Sequence, residues 1–241
     1  MDIGKAFAFV FEDEGWIKKI LIGVLLLLSM IFVIPIFVVP FIFVGYSVQV
    51  ARNVRDGLPN PLPEWENFGD FLSDGFAVGA AQFIYGLPIF LLGGFGGFTA
   101  AAGDASGSDG LMALGGTVFA VLGCLSLLWM LALIAIGPAI YIQYLKHGTF
   151  SSCMDFSEVL RLTREHLSEI LVAVLVIFAG NLIVGVAGFI PCIGIFIGLG
   201  SVPYMTMFRG HVFGQLAADI LGGAGGKGDK FDDIIMPDDM I

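Results

Sequence analysis

The chain has 241 residues, of which 57% are hydrophobic and 13% charged; its mean hydropathy is +0.94 and its formal net charge −10. Ordinary soluble domains carry about 25% charged residues, so this composition excludes a soluble globular protein and points to a bilayer. The negative balance argues against a nucleic-acid partner.

The first twenty residues scatter Asp2, Glu12, Asp13 and Glu14 among apolar side chains, without a basic leading region or a small-residue cleavage site, so no removable signal peptide is expected. Residues 4–16, around Phe7, Phe11 and Trp16, read as an amphipathic interfacial helix. Four stretches then lack any Asp, Glu, Lys or Arg: Ile20 to Ala51, Gly75 to Gly103, Gly110 to Leu145 and Ile170 to Phe208. Each exceeds the roughly 20 apolar residues that cross a hydrocarbon core as a helix.

Short loops rich in Lys and Arg stay cytoplasmic, so the basic residues decide how these runs are threaded. If the first run were one span, Lys18 and Lys19 would face Arg52 and Arg55 across the membrane. If the first and last runs are instead hairpins, broken near Pro35 and Pro40 and near Gly188, Pro191 and Gly194, all eleven basic residues fall on one side. The expected fold is therefore all-α: a polytopic membrane bundle of six helices in hairpin pairs, placed at 18–34, 37–55, 70–94, 111–147, 167–188 and 193–220. Together they form one membrane-embedded domain over 1–221, with both termini cytoplasmic. The first pair has only roughly 16 residues per arm, below the usual span length, so it either snorkels its ends outward or re-enters without crossing. Residues 93–110, rich in Gly and Ala with Asp104 and Asp109, are expected to form the one sizeable loop on the far side.

Between the first two hairpins lies "LPNPLPEWENFGDFLSDGF", Leu58 to Phe76. Arg52 and Arg55 suit the negative end of the preceding helix. Three prolines stop helix formation, Trp65 suits the headgroup layer, and Asp70 or Ser73 can cap the next helix, with Glu64, Asp70 and Asp74 near its positive end. This elbow reads as structural. Residues 151–165 form a second amphipathic helix, with Phe156, Val159, Leu160 and, just beyond it, Leu167 on one face and Glu158, Arg161, Arg164 and Glu165 on the other. The glycine-rich, acidic tail over 222–241 reads as flexible, and Phe231, Ile234, Ile235 and Met236 give it the alternation of a docking peptide.

Chemistry-bearing clusters are sparse. Cys124, Cys153 and Cys192 show no metal spacing and form no disulfide framework. His147, His166 and His211 sit apart at helix ends, so a membrane enzyme would have to bring them to Glu158 or Glu165. Neither a catalytic group, a metal site nor a cofactor is expected. Asn181, Gln82 and Gln143 are polar side chains inside the apolar runs and suit contacts between helices or a solute site.

The blocks "ARNVRDG", "LPEWENFGDFLSDGF", "PAIYIQYLKHGTFSSCMDFSEVLRL" and "VPYMTMFRGHVFGQLA" resemble those of a family of bacterial and archaeal polytopic membrane proteins, domain of unknown function 4013, over about Gly15 to Leu216. The resemblance implies a multi-helix fold in a prokaryotic cell membrane and no particular substrate. The absence of buried charge and of any nucleophile points to a non-enzymatic accessory or scaffold subunit that packs against other membrane proteins or itself. A transporter or permease-like protein for a lipid or small apolar solute is the alternative.

Overall fold

The computed structural model describes residues 1–190 and 194–222. Among them no strand occurs; the elements in order are α1 (Ile3–Glu12), α2 (Trp16–Ser29), α3 (Val33–Arg55), α4 (Phe68–Ala105), α5 (Asp109–His147), α6 (Phe150–Cys153), α7 (Phe156–Glu165), α8 (Leu167–Ala187) and α9 (Gly194–Leu221). Four of them, α3, α4, α5 and α8, are long and apolar enough to cross a membrane.

The first apolar run does fold back on itself, but the break falls at Met30–Phe32 and not between the prolines. Pro35 occupies the third position of α3, where its missing N–H would have no helical acceptor, and Pro40 is absorbed inside the helix. In the last run α8 ends at Ala187, and α9 begins at Gly194.

The loop expected over 93–110 is helical instead. α4 continues to Ala105 and α5 starts at Asp109, so only Ser106 to Ser108 turn the chain, with Gly107 at φ +62°. Glycine costs a helix up to about 1 kcal/mol relative to alanine, but here it lets two helices touch. A Cβ on Gly103 would lie 2.7 Å from the Leu111 carbonyl oxygen, and one on Gly115 would lie 2.5 Å from that of Thr99. The two helices, of 38 and 39 residues, reach about 57 Å at 1.5 Å per residue. Between Gly86 and Ala135 the buried residues are Gly86, Gly96, Gly103 and Gly115, and the last three close against the opposite arm of the hairpin.

The packed core lies near the other end of that hairpin. Gly45 and Gly75 bring α3 and α4 together so closely that a Cβ on either would fall inside a backbone carbonyl, that of Phe71 or of Phe41. Gly210 and Gly214 do the same for α9, where a Cβ would approach the Ser47 and Ala51 carbonyl oxygens to 2.5 and 2.7 Å. Val48, Ala51, Val78, Ala81, Ile140, Phe208 and Leu216 fill the space around these crossings.

Both amphipathic segments differ from expectation. α1 packs Ala6, Phe9 and Val10 inward. It lies on α9, with the Phe7 and Phe208 rings 4.6 Å apart and Tyr204 Oη donating to the Phe7 carbonyl at 3.1 Å. The expected helix over 151–165 is split at Met154–Asp155, where the Asp155 carboxylate accepts from the Glu158 N–H and caps α7. Its buried residues are Val159, Leu162 and Thr163; Leu160 is half-buried, and Leu167 is exposed. Phe156 is half exposed and stacks on Tyr85 at 4.6 Å. Arg161 bridges Glu158 and Glu165 on the outer face. The tail residues Phe231, Ile234, Ile235 and Met236 lie outside the described residues.

Candidate functional site: the elbow and the polar pocket beside it

Residues 56–67, between α3 and α4, are held along α3 by side chains that pin their carbonyls. Asn53 Nδ2 donates to the Pro61 carbonyl at 2.9 Å and Tyr46 Oη to the Pro63 carbonyl at 2.9 Å. Proline cannot donate, so a run of prolines offers only acceptors, and α3 supplies the donors.

Trp65 is buried among protein side chains. It stacks on Tyr46 at 4.0 Å, and its Nε1 donates to the Lys19 carbonyl at 2.9 Å. Lys19 itself is buried, with only 4% of its side chain exposed. Its ammonium donates to Asp13 Oδ2 at 2.7 Å and to the Leu62 carbonyl at 2.9 Å, and lies 3.0 Å from Glu64 Oε1. Glu64 therefore answers α2 and not the start of α4; Lys19, by hydrogen bond and charge, and Lys18 hold its carboxyl below the usual range. Lys19 is the residue that sequence reasoning missed. It was read as a basic marker at the end of an apolar run, and no local pattern distinguishes a snorkelling lysine from a buried one.

A second network ties α3, α4 and α5. Arg52 Nη1 donates to Asp74 Oδ2 at 3.2 Å and to Gln49 Oε1 at 2.7 Å, and Tyr144 Oη donates to Asp74 Oδ1 at 2.6 Å. Arg55 pairs with Asp56 and donates to the Leu145 carbonyl. Neither Asp70 nor Ser73 caps α4; the helix begins one turn earlier, after Asn67, and Asp70 lies exposed in the first turn.

Beside the elbow, α1, residues 57–61 and α9 enclose a pocket of about 440 Å³. Phe9, Val54, Pro59 and Pro61 give it apolar walls; Lys5, Glu12, Asp13, His211 and Asp219 give it charge and polarity. His211 is buried against Phe9, with ring centroids 4.1 Å apart, and its Nδ1 lies 3.3 Å from Gln215 Nε2. Gln215 in turn clasps Asp2, accepting from its N–H at 2.8 Å and donating to its carbonyl at 3.1 Å. His147 and His166 do not line this pocket, and neither do Glu158 or Glu165. Among the described residues no three of His, Cys, Asp and Glu converge as metal ligands.

The remaining candidates are dispersed. Asn181 is exposed on α8 and donates to the Ile177 carbonyl of its own helix at 2.8 Å, so among the described residues it joins no two helices. Gln82 is half-buried in α4. Gln143 is buried in α5, and its Oε1 has no hydrogen-bond partner among the described residues.

The family described as protein of unknown function DUF4013 matches residues 20–193, from the second residue after Lys18 through the turn beyond α8. The chain belongs to the DUF4013 family. No curated protein and no solved structure matches it. The DUF4013 match takes in the elbow, the α3–α4 crossing and the α4–α5 hairpin. It leaves out α1, Lys19 and the whole of α9, so the pocket is built chiefly from residues outside the matched stretch.

Proposed function

We propose that this DUF4013 protein is a non-catalytic accessory or scaffold subunit of a prokaryotic cell membrane, packing against other membrane proteins. The observation that carries this reading is the α4–α5 hairpin: from Gly86 to Ala135 its buried residues are four glycines, three of them closed against the opposite arm, and the rest of its surface is free for lipid or for a partner. Six helices, α2–α3, α4–α5 and α8–α9, enter the bilayer as three hairpins with both termini cytoplasmic. α2 has 14 residues, about 21 Å at 1.5 Å per residue, so it is the short arm of the first pair, whose other arm, α3, is long enough to cross. The pair's basic residues support the orientation, since Lys18, Lys19, Arg52 and Arg55 all gather around the elbow. Asp104 and Asp109 flank the opposite turn.

The test is purification of the tagged protein from its own membranes in mild detergent, followed by mass spectrometry. A defined membrane protein recovered in near-stoichiometric amount is expected. A monodisperse, partner-free protein from the same preparation sinks the reading. The alternative, passage of a lipid or small apolar solute, draws less support, because Asn181 is exposed and, among the described residues, bonds only its own helix.

A further inference from the structure

The accessory role leaves the pocket beside the elbow unused. Lys5, Phe9, Glu12 and Asp13 are spaced i, i+4, i+7, i+8, so one face of α1 lines it; His211, Gln215 and Asp219, at i, i+4, i+8, bring one face of α9. Its volume, about 440 Å³, falls in the range of roughly 300–1,000 Å³ typical of sites for single small ligands.

The α9 wall carries a hydrogen-bond donor whose tautomer is fixed. Gln215 holds Asp2 from both sides, Oε1 accepting from the Asp2 N–H and Nε2 donating to its carbonyl, and exchanging the two amide atoms would break both bonds. The second Nε2 hydrogen is left for His211 Nδ1, 3.3 Å away, so Nδ1 accepts and the ring proton sits on the imidazole Nε2. That N–H has no hydrogen-bond partner among the described residues. His211 is only 2% exposed, yet its Nε2 is not sealed, since among the described residues Gln143 Oε1 alone is both enclosed and unbonded. The opening that reaches it is the pocket that His211 lines.

Most charges around the pocket are already matched. Asp13 holds Lys19, Asp219 lies 3.5 Å from the amino group of Met1, and Asp2 Oδ1 accepts from the Lys5 backbone N–H and caps α1. The Lys5 ammonium and the Glu12 carboxylate form no ion pair among the described residues, and both line the pocket. Seven residues apart on one helix face, they are separated by about 10 Å along α1 at 1.5 Å per residue. Phe9 stands between them, and Val54, Pro59 and Pro61 complete an apolar middle. The lining thus offers an ammonium at one end, an imidazole N–H beside Phe9 and a carboxylate at the other end. A simple anion leaves Glu12 unanswered; a simple cation leaves Lys5 and His211 so.

We propose that this pocket binds a small zwitterion with an apolar middle, an ω-amino acid or a short apolar peptide, its carboxylate at Lys5 and His211 and its ammonium at Glu12. A small-molecule site adds to the accessory role without depending on it.

The full-length protein in detergent is titrated calorimetrically with 6-aminohexanoate and with the dipeptide leucyl-leucine, alongside hexanoate and hexylamine, which carry one charge each. At least one zwitterion is expected to bind tenfold or more tightly than both single-charge compounds, and which of them binds separates amino acid from peptide. Lys5→Met and Glu12→Gln, both at exposed positions, should each weaken that binding about fivefold. Lys5→Met should leave hexylamine binding unchanged, and Glu12→Gln should not weaken that of hexanoate. Glu14→Gln, exposed but outside the lining, serves as the control and should bind as wild type does. No saturable binding of either zwitterion at millimolar concentration, equal affinity for all the compounds, or wild-type affinity in monodisperse Lys5→Met and Glu12→Gln each overturns the proposal.

Discussion

Lys19 places a cation in an interior position and surrounds it with a carboxylate, a backbone carbonyl and a second, half-exposed carboxylate. Removing one member of such a buried pair costs about 3–5 kcal/mol, because the partner keeps its desolvation penalty without the attraction. Lys19→Met retains most of the aliphatic stem while stripping Asp13, only 12% exposed, of its counter-ion. A loss of about 3 kcal/mol is expected, read as a lowered midpoint of thermal unfolding in detergent. Adding Asp13→Asn to that variant should recover part of the loss, since no charge is then stranded. A Lys19→Met protein as stable as wild type would mean that the ammonium is hydrated in solution. Asp74, which Arg52 and Tyr144 share, is held in a comparable way, but there Arg52 is 31% exposed and the charge less confined.

At the scale of elements, glycine decides which helices touch. The α3–α4 crossing admits no Cβ at Gly45 or Gly75, whereas Gly93, Gly94 and Gly97 face open space. Gly75→Ala is therefore expected to prevent stable folding, measured as loss of monodisperse protein after extraction. Gly97→Ala should leave yield unchanged or slightly raised, since alanine favours a helix by about 1 kcal/mol. Equal yields from both would show that the crossing is looser than its geometry. Glycines of these two kinds look alike in the sequence, which is why the hairpins were legible and their depth was not. The fold-back of the first run followed from where Lys and Arg stand, while its exact break, at Met30–Phe32, did not, because Pro35 and Pro40 are both taken into α3. Extension of α4 through Gly93 to Ala105 did not, because a run of Gly, Ala, Ser and Asp has the composition of a loop until a second helix is laid against it. The elbow was legible as a helix-breaking unit from Pro59, Pro61 and Pro63. Its contacts were not, since Trp65, Tyr46 and Lys19 meet only in three dimensions. The pocket around His211 was hidden for the same reason, being assembled from opposite ends of the chain.

For the whole molecule, the threading makes a prediction that can be read in intact cells. Ser108→Cys, at the turn between the two longest helices, should react with a membrane-impermeant maleimide added outside. Asp56→Cys, at the elbow, should react only after permeabilisation. The reverse pattern would invert the molecule. α1 rests on α9, through Phe7 on Phe208, Phe9 on His211 and Asp2 on Gln215, while Lys19 and Trp65 fasten the start of α2 to the elbow. A ribosome makes α1 before any of the surface that receives it. The N-terminal arm must therefore wait, its greasy side uncovered, until almost two hundred further residues have been synthesised, and its docking is among the last events of biogenesis.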